Sequence, residues 1–299
     1  MKGEKILITG ATGQVGLPAA LALAKTNEVW AAARFSDPAT RVRLTEGGVK
    51  CVQVDLESTD MSAIPTDFSA IVNGAVARTN RWPEDLEGNV GGLGRLMHHC
   101  KTVKAFLHVS TTAVYKEVPH HPYVETDSLG DNHGVMAHRE TYSIAKIAAE
   151  AMAQFFAREF QIPTTIARLN VPYGANGGMP RRHLLNILAG DPILVHVDHP
   201  NVFNPLHERD IVAMIPRLLG VASVPATIVN WGGSDPVSLE DYAAFLGDLV
   251  GKKPVWAETE KIIRGVQIDT TRMHKLIGPA SVPWQDGFRD MVAAVKVPA

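Results

Sequence analysis

A glycine-rich turn between a strand-like run and a helical pattern most constrains how this chain folds. The apolar run from Ile6 to Thr9 leads into Gly10-Ala11-Thr12-Gly13-Gln14-Val15-Gly16, and Val15, Ala19 and Leu23 then share one face of a helix. Glycines at this spacing let the backbone turn sharply and approach a pyrophosphate, while the amides at the helix start attract the phosphates. The turn predicts a dinucleotide site lined by Gly10, Thr12, Gly13, Gln14, Val15 and Gly16.

Strand-like runs alternate with helical patterns along most of the chain, which indicates βαβ units. Right-handed crossovers would place helices on both faces of one parallel sheet, so we expect a doubly wound α/β (Rossmann) fold. The strand-like runs are Ile6 to Thr9, Glu28 to Ala33, Val49 to Val54, Ala70 to Gly74, Ala105 to Ser110 and Thr164 to Leu169. Helices are expected from Gln14, after Tyr142, near Arg181 to Leu188 and over Leu239 to Val250.

Residues 173–205 interrupt this alternation with many Gly, Pro, Asn and His residues, which is typical of a substrate-facing insertion. We therefore expect two lobes interleaved in sequence. Residues 1–172 and about 204–234 would form the dinucleotide-binding domain. Residues 173–203 and about 235–299 would form a smaller substrate-binding lobe.

Charge and composition exclude several kinds of partner. The formal net charge is -2, and no Lys/Arg-rich run could supply the phosphate contacts of a nucleic-acid site. There is no apolar stretch near the ~18 residues of a membrane span and no secretory signal pattern, so we expect a cytoplasmic protein without membrane contact. The two cysteines, Cys51 and Cys100, fit reduced thiols. The twelve histidines lack the spacing of a metal site, and none is expected.

The end of the second strand-like run bears on which nicotinamide dinucleotide is bound. An Asp or Glu at this place would accept from the ribose hydroxyls of NAD. The chain has Ala33 followed by Arg34 and Ser36, and an arginine can pair with the 2′-phosphate that only NADP carries. The sequence therefore favours NADP(H) over NAD(H), with Arg34 and Ser36 as contacts.

A tyrosine and a lysine lie four residues apart at the start of the helix after residue 141. This spacing places Tyr142 and Lys146 on adjacent turns of one helix face. A phenol, with an ordinary pKa near ~10, is a poor base at neutral pH, but a neighbouring ammonium and an oxidised nicotinamide favour its ionised form. Tyr142 could then exchange a proton with a substrate hydroxyl or carbonyl.

Hydroxyl side chains stand at the end of the fifth strand-like run, in Val109-Ser110-Thr111-Thr112-Ala113-Val114-Tyr115. Ligands of open α/β sheets collect at the carboxyl ends of the strands. Either hydroxyl, that of Ser110 or that of Thr111, could therefore bind a substrate oxygen.

These motifs together resemble those of the extended short-chain dehydrogenases/reductases, of the NAD-dependent epimerase/dehydratase type. The resemblance extends over nearly the whole chain. Its motifs are TGATGQVG, VSTTAVY, YSIAK, the NVGG of residues 89–92, the RLNVPYG of residues 168–174 and the HERD of residues 207–210. Two departures stand out: Asn170 precedes the tyrosine-glycine segment by one residue more than usual, and residues 201–204 lack the arginine common in sugar-nucleotide enzymes.

The resemblance implies a role for several residues. Thr111, with Ser110 as second choice, would hold the substrate oxygen near Tyr142, and Lys146 would tune Tyr142 and hold the nicotinamide ribose. Asp55 and Leu56 would contact the adenine side, and the small Gly74 and Ala75 would let the backbone approach the cofactor. A homodimer is also implied. Thr112-Ala113 carries no acid, unlike the acidic pair of sugar-nucleotide dehydratases.

Three functions fit these residues. The leading one is an NAD(P)-dependent oxidoreductase that interconverts a carbonyl and a secondary alcohol of a small molecule by hydride transfer. A second is an NAD-dependent sugar or nucleotide-sugar epimerase that keeps its cofactor tightly bound. A third is a non-catalytic dinucleotide-binding regulator.

Overall fold

The first strand of the chain lies in the middle of the main sheet. In the computed structural model, which describes residues 1–58 and 60–295, β1 (Lys5–Thr9) pairs in parallel with β2 (Glu28–Ala33) on one side and β4 (Ala70–Asn73) on the other. Ile6, Leu7 and Ile8 are fully buried, as expected of a strand covered on both faces.

Seven strands form this sheet in the order β12-β6-β5-β4-β1-β2-β3. The order reverses direction between β1 and β4, which gives the doubly wound topology predicted from the sequence. β2 also pairs in parallel with β3, and β4 with β5. The remaining strands of the sheet are β3 (Lys50–Gln53), β5 (Ala105–Thr111), β6 (Thr164–Leu169) and β12 (Thr227–Trp231).

Helices connect the strands of this sheet. They are α1 (Gly16–Leu23), α2 (Pro38–Glu46), α3 (Trp82–Leu86), α4 (Gly92–His99), α5 (Tyr142–Glu159) and α7 (Glu208–Gly220). A π-helical turn, Glu87–Gly91, joins α3 to α4, and a short 3-10 turn, Thr112–Val114, follows β5. Helix α1 begins two residues later than the predicted start at Gln14, because Gln14 and Val15 still belong to the glycine turn.

The chain divides into two compact units. The first unit consists of Met1–Thr111, Thr141–Arg168 and Val212–Val229, and the second of Thr112–Glu140, Leu169–Ile211 and Asn230–Ala299. The predicted boundaries differ, since residues 112–140 were expected with the dinucleotide-binding domain. The last four residues of the expected second lobe, 296–299, lie outside the described part of the chain.

The first unit has one apolar core against its sheet. Leu7, Ile71 and Phe106 contribute from the strands, Leu96 from α4, and Ala153 from α5. All five are fully buried. The small Ala153 allows helix and sheet to approach closely, so the core holds α5, and therefore Tyr142 and Lys146, in a defined place.

The second unit has its own core, which is rich in tyrosine, and its described residues form three small sheets. The aromatic residues Tyr115, Tyr123, Tyr173, Tyr242 and Phe288 are buried there. The sheets have the orders β11-β7-β8, β10-β13 and β14-β9. Their strands are β7 (Pro172–Gly174), β8 (Gly177–Gly178), β9 (Pro192–His196), β10 (Val202–Phe203), β11 (Leu206–His207), β13 (Val237–Ser238) and β14 (Val255–Thr259).

Within the described part of the second unit, the helices are α6 (Met179–Ala189), α8 (Leu239–Val250), α9 (Thr271–Ile277) and α10 (Trp284–Ala294). Helix α8 spans the predicted residues because its start and end are both encoded locally. The Ser238 hydroxyl accepts from the Asp241 amide at 2.9 Å, and Gly251 ends the helix in the left-handed conformation. No helix of the described residues is long and apolar enough to span a bilayer.

Candidate active site

The glycine turn after β1 has the shape that a bound pyrophosphate requires. Gly10 has a φ of +66°, and a Cβ there would lie 2.6 Å from the backbone of Gly74. A Cβ on Gly16 would collide with the Gly10 carbonyl, and one on Gly13 would lie 3.2 Å from it. Thr12 and Gly13 are exposed at the tip of the turn. The turn therefore fits a dinucleotide, which would lie against Thr12, Gly13 and the start of α1.

A row of buried hydrogen bonds crosses the carboxyl ends of β1, β4 and β5. Thr9 donates to the Asn73 side chain at 2.6 Å and accepts from the Ala75 amide at 3.3 Å. The Asn73 amide in turn lies 3.1 Å from Nδ1 of His108. Burial keeps the pKa of His108 well below its usual value, and the charge of Lys146 lowers it further. This neutral network holds Gly74 and Ala75 close to Gly10, where the cofactor was expected.

At the end of β2 the structure places a basic and an aromatic side chain. Arg34 is exposed, and Phe35 is buried with a φ of +51° and lies under the guanidinium of Arg41 at 5.5 Å. Ser36 is exposed beside them. The nearby carboxylate of Asp37 accepts from the Ala39 amide at 3.0 Å and from the Thr40 hydroxyl at 2.6 Å, and so caps α2.

Asp55 and Leu56 follow β3 at the same edge of the sheet. Asp55 is exposed and its carboxylate accepts from the Glu57 amide at 3.1 Å, while Leu56 is half-buried. The Leu56 carbonyl accepts from Arg95 at 2.7 Å. Both residues therefore lie just after the carboxyl end of the third strand, where the adenine of the dinucleotide was expected.

Tyr142 is the first residue of α5, and Lys146 lies one turn further along the helix. Lys146 is 3% exposed, and its ammonium donates to the Val109 carbonyl of β5 at 2.8 Å. Burial lowers the pKa of Lys146 to about 8, against the opposing effect of Glu150, and Arg78 lowers it further. The bond to Val109 fixes the ammonium two residues before Thr111, and the predicted Thr111, Tyr142 and Lys146 all belong to the first unit.

The two candidate hydroxyls of β5 have different surroundings. Ser110 is 4% exposed and donates to the Glu150 carboxylate at 2.5 Å. Glu150 also accepts from Arg168, with Nη2 at 2.8 Å and Nε at 3.1 Å, and both of these charged side chains are buried. Thr111, the last residue of the strand, is half-buried. The Ser110 hydroxyl is therefore part of an internal ion-pair network.

A buried carboxylate next to the site, Asp85, was missed by the sequence reasoning. It lies on α3, is 1% exposed, and accepts from the loop after β4 and from Thr141, the residue before Tyr142. Asn89, one helical turn later, also holds this loop: it accepts from the Ala77 amide at 3.2 Å and donates to the Ala77 carbonyl at 2.9 Å. The four-residue spacing of two short polar side chains was the one local signal for this pair.

Asn170, which lies at one of the departures from the family pattern, is hydrogen-bonded within the second unit. Its amide donates to the Thr112 hydroxyl at 3.1 Å and to the Val266 carbonyl at 2.6 Å, and its carbonyl accepts from the Asn204 amide at 3.0 Å. At the other departure, Phe203 is buried in the core of the second unit.

The two cysteines are not paired with one another, and burial suppresses the reactivity of one of them. Cys51 is half-buried and Cys100 fully buried, both are free thiols, and burial raises the pKa of Cys100 to about 12. Across residues 1–58 and 60–295, no group of three histidine, cysteine or acidic side chains could hold a metal ion.

Three of the solved structures similar to this chain contain a UDP-sugar. MoeE5 in complex with UDP-glucuronic acid and NAD has a TM-score of 0.83 and 22% identity, over 98% of this chain and 99% of that one. UDP-glucuronic acid 4-epimerase from Bacillus cereus, with UDP-glucuronic acid and NAD, has a TM-score of 0.81 and 20% identity over 98% and 99%. UDP-glucose 4-epimerase from Thermotoga maritima, with UDP-glucose, has a TM-score of 0.82 and 20% identity, over 97% of this chain and 98% of that one. These likenesses confirm the predicted fold.

A search of curated proteins found none that matches this chain. The model of the NAD-dependent epimerase/dehydratase family, in contrast, matches residues 6–232, which include the glycine turn, both candidate hydroxyls, Tyr142 and Lys146. This confirms the resemblance seen in the sequence and the expected class of NAD-dependent enzyme: the chain belongs to the NAD-dependent epimerase/dehydratase family.

Proposed function

We propose that this protein interconverts a carbonyl and a secondary alcohol of a small molecule by hydride transfer, with Thr111, Tyr142 and Lys146 as its catalytic residues. The observation that carries the proposal is the buried ammonium of Lys146, which the Val109 carbonyl holds at 2.8 Å one helical turn from Tyr142. A buried cation beside a phenol stabilises the phenolate, and the substrate-facing end of β5 supplies a hydroxyl close by.

The nicotinamide dinucleotide, when bound in the glycine turn, gives or accepts the hydride. In the direction of reduction, Tyr142 Oη donates its proton to the carbonyl oxygen of the substrate. The Thr111 hydroxyl donates a hydrogen bond to the same oxygen and orients it. Lys146 stabilises the resulting phenolate and binds the nicotinamide ribose. In the direction of oxidation, Tyr142 takes the proton from the alcohol.

The proposed cofactor preference is NADP(H) over NAD(H). Arg34 supports it because it is exposed at the end of β2, and no acidic side chain within the described ranges pairs with it. Asp37, the nearby carboxylate, already accepts from two amides and one hydroxyl of α2. Two similar structures are complexes with NAD, and titration of this protein with both cofactors tests the preference.

Epimerisation of a sugar or nucleotide sugar is a second candidate. It is favoured by the similarity to two 4-epimerases over almost the full length of the chain. In this case Tyr142 would remove a proton from the sugar hydroxyl and return one after the sugar has rotated within the site. The same three residues would act, but no cofactor would be consumed.

Native mass spectrometry of the freshly purified protein, followed by turnover assays, separates these functions. A reductase releases its cofactor and changes the nicotinamide absorbance with a panel of ketones and aldehydes. An epimerase retains NAD(H) and converts UDP-glucose or UDP-glucuronic acid without net absorbance change. In both cases Tyr142→Phe should abolish turnover and leave cofactor affinity nearly unchanged. Unaltered turnover in Tyr142→Phe contradicts the mechanism, and no turnover in any assay favours the non-catalytic regulator.

We also propose a homodimer. Helix α5 exposes two large apolar side chains, Phe155 at 56% and Ile144 at 37%, which a second copy would cover. Light scattering after gel filtration measures the mass, and Phe155→Glu should give a monomer. The cytoplasmic location stays a prediction.

A further inference from the structure

Two separate parts of the active-site region meet at one buried carboxylate. Oδ1 of Asp85 accepts from the Thr79 amide at 2.7 Å and the Thr79 hydroxyl at 3.0 Å. Oδ2 accepts from the Asn80 amide at 3.0 Å and the Thr141 hydroxyl at 2.5 Å. The loop after β4 and the start of α5 are thereby joined through a single side chain.

The Thr141 hydroxyl bonds to Asp85 and does not cap helix α5. Thr141 is the N-cap residue of α5, and a threonine at this place ordinarily accepts from an amide of the first helical turn. Here its side chain makes no cap hydrogen bond and instead donates to Asp85. Thr141 is only 2% exposed, so water does not compete for the bond.

The carboxylate is fully supplied with donors, which makes the connection rigid. Burial acts to raise the pKa of Asp85, but the hydrogen bonds from Thr141, Thr79 and Asn80 outweigh it and hold the pKa below its usual value. An ionised buried carboxylate is stable only when its donors stay in place. Asn80 accordingly keeps a left-handed φ of +61° that presents its amide to Asp85.

We infer that Asp85 is a positioning residue, which through Thr141 fixes Tyr142 relative to the loop of residues 77–80 in the active site. This inference rests on the proposed function, because it assigns Tyr142 the proton transfer. Tyr142 follows Thr141 directly, so any movement of the Thr141 anchor displaces the phenol. Misplacement of a reacting group by about 1 Å can cost about 100-fold in rate.

The test removes only the Thr141 hydroxyl and separates kcat from KM. Thr141→Val keeps the shape of the side chain and leaves the bonds from Asp85 to the loop. We expect kcat to fall about tenfold or more, with KM and the cofactor dissociation constant changed less than about twofold. Thr141→Ser, which restores the hydroxyl, should return kcat to near the wild-type value. In Asp85→Asn, adding Thr141→Val should lower kcat no further.

Thr165→Val is the matched control. Thr165 lies on β6 in the same unit, is fully buried, and also donates one hydrogen bond, to the Leu218 carbonyl at 2.7 Å. Thr165→Val should lower the free energy of unfolding but leave kcat unchanged. The inference is overturned if Thr141→Val keeps wild-type kcat, or loses only as much as Thr165→Val. Tyr142→Phe, measured in parallel, tells the two proposals apart, because retained turnover there refutes the proposed function itself.

Discussion

Ser110 donates its hydroxyl to the Glu150 carboxylate at 2.5 Å, inside the first unit. Glu150 is 1% exposed and also accepts from Arg168, at both of its carboxylate oxygens. The hydroxyl of Ser110 therefore satisfies a buried charge, whereas Thr111, one residue later, stands at the strand end. This difference leads us to predict separate roles for the two neighbouring hydroxyls, which substitutions can distinguish.

Ser110→Ala should reduce stability and Thr111→Val should reduce turnover. Loss of the Ser110 donor leaves Glu150 short of a hydrogen bond, which costs about 1–3 kcal/mol of unfolding free energy. Loss of the Thr111 hydroxyl should lower kcat by about 100-fold, because the substrate oxygen is no longer oriented. Denaturant titrations and turnover assays on both variants check this. A large loss of kcat in Ser110→Ala would reverse the assignment.

Arg168→Met should be among the most destabilising substitutions in the first unit. It leaves the buried Glu150 without its hydrogen-bonded cation, and breaking such a pair costs about 3–5 kcal/mol. The matched control is the double variant Glu150→Leu/Arg168→Met, which removes both charges and should be more stable than Arg168→Met alone. A double variant less stable than the single one would contradict this explanation.

Lys146 should make stability rise with pH in the alkaline range. Its pKa is about 8 in the folded protein and about 10.5 when unfolded, so between these values only the unfolded state keeps the proton and the free energy of unfolding increases. From pH 7 to pH 9.5 the wild type should gain about 2 kcal/mol relative to Lys146→Met. Urea titrations of both proteins at the two pH values measure their free energies of unfolding. If the wild type gains no stability over Lys146→Met between pH 7 and pH 9.5, burial does not depress this pKa.

Arg34→Ala should weaken NADPH binding by about 1.5–3 kcal/mol, the usual contribution of a charge-assisted contact, and barely affect NADH. Arg43→Ala is the control, since Arg43 is an exposed arginine of the adjacent helix α2. Fluorescence titration of both cofactors measures the affinities. Equal losses for NADPH and NADH would refute the proposed preference.

Gly10→Ala should prevent stable folding of the glycine turn, whereas Gly48→Ala should not. Both glycines have positive φ values, +66° and +81°, but only a Cβ on Gly10 meets backbone, at 2.6 Å from Gly74. Gly48→Ala has open space and should cost about 1–2 kcal/mol of left-handed strain. Thermal unfolding of the two variants compares them, and similar midpoints would show that the Gly74 backbone yields.

The pattern of strands and helices was predictable because its signals are local. The runs Glu28–Ala33 and Thr164–Leu169 and helix α8 have the predicted bounds, since β-branched or apolar runs, a serine cap and a terminal glycine encode them within a few residues. The boundary between the units was less accessible, because residues 112–140 have weak hydrophobic patterning and their place depends on contacts distant in sequence.

The sequence by itself predicted the glycine turn and the candidates Ser110, Thr111, Tyr142 and Lys146, because each lies in a short motif with its own chemistry. It predicted the doubly wound sheet from the alternation of strands and helices. Only the tertiary structure showed that Ser110 bonds to Glu150 and that Asp85 bonds to Thr141. Glu150 lies 40 residues from Ser110, and Asp85 lies 56 residues from Thr141. No local periodicity encodes such pairings. They arise when packing excludes water from polar groups, each of which must then find its partner within the fold.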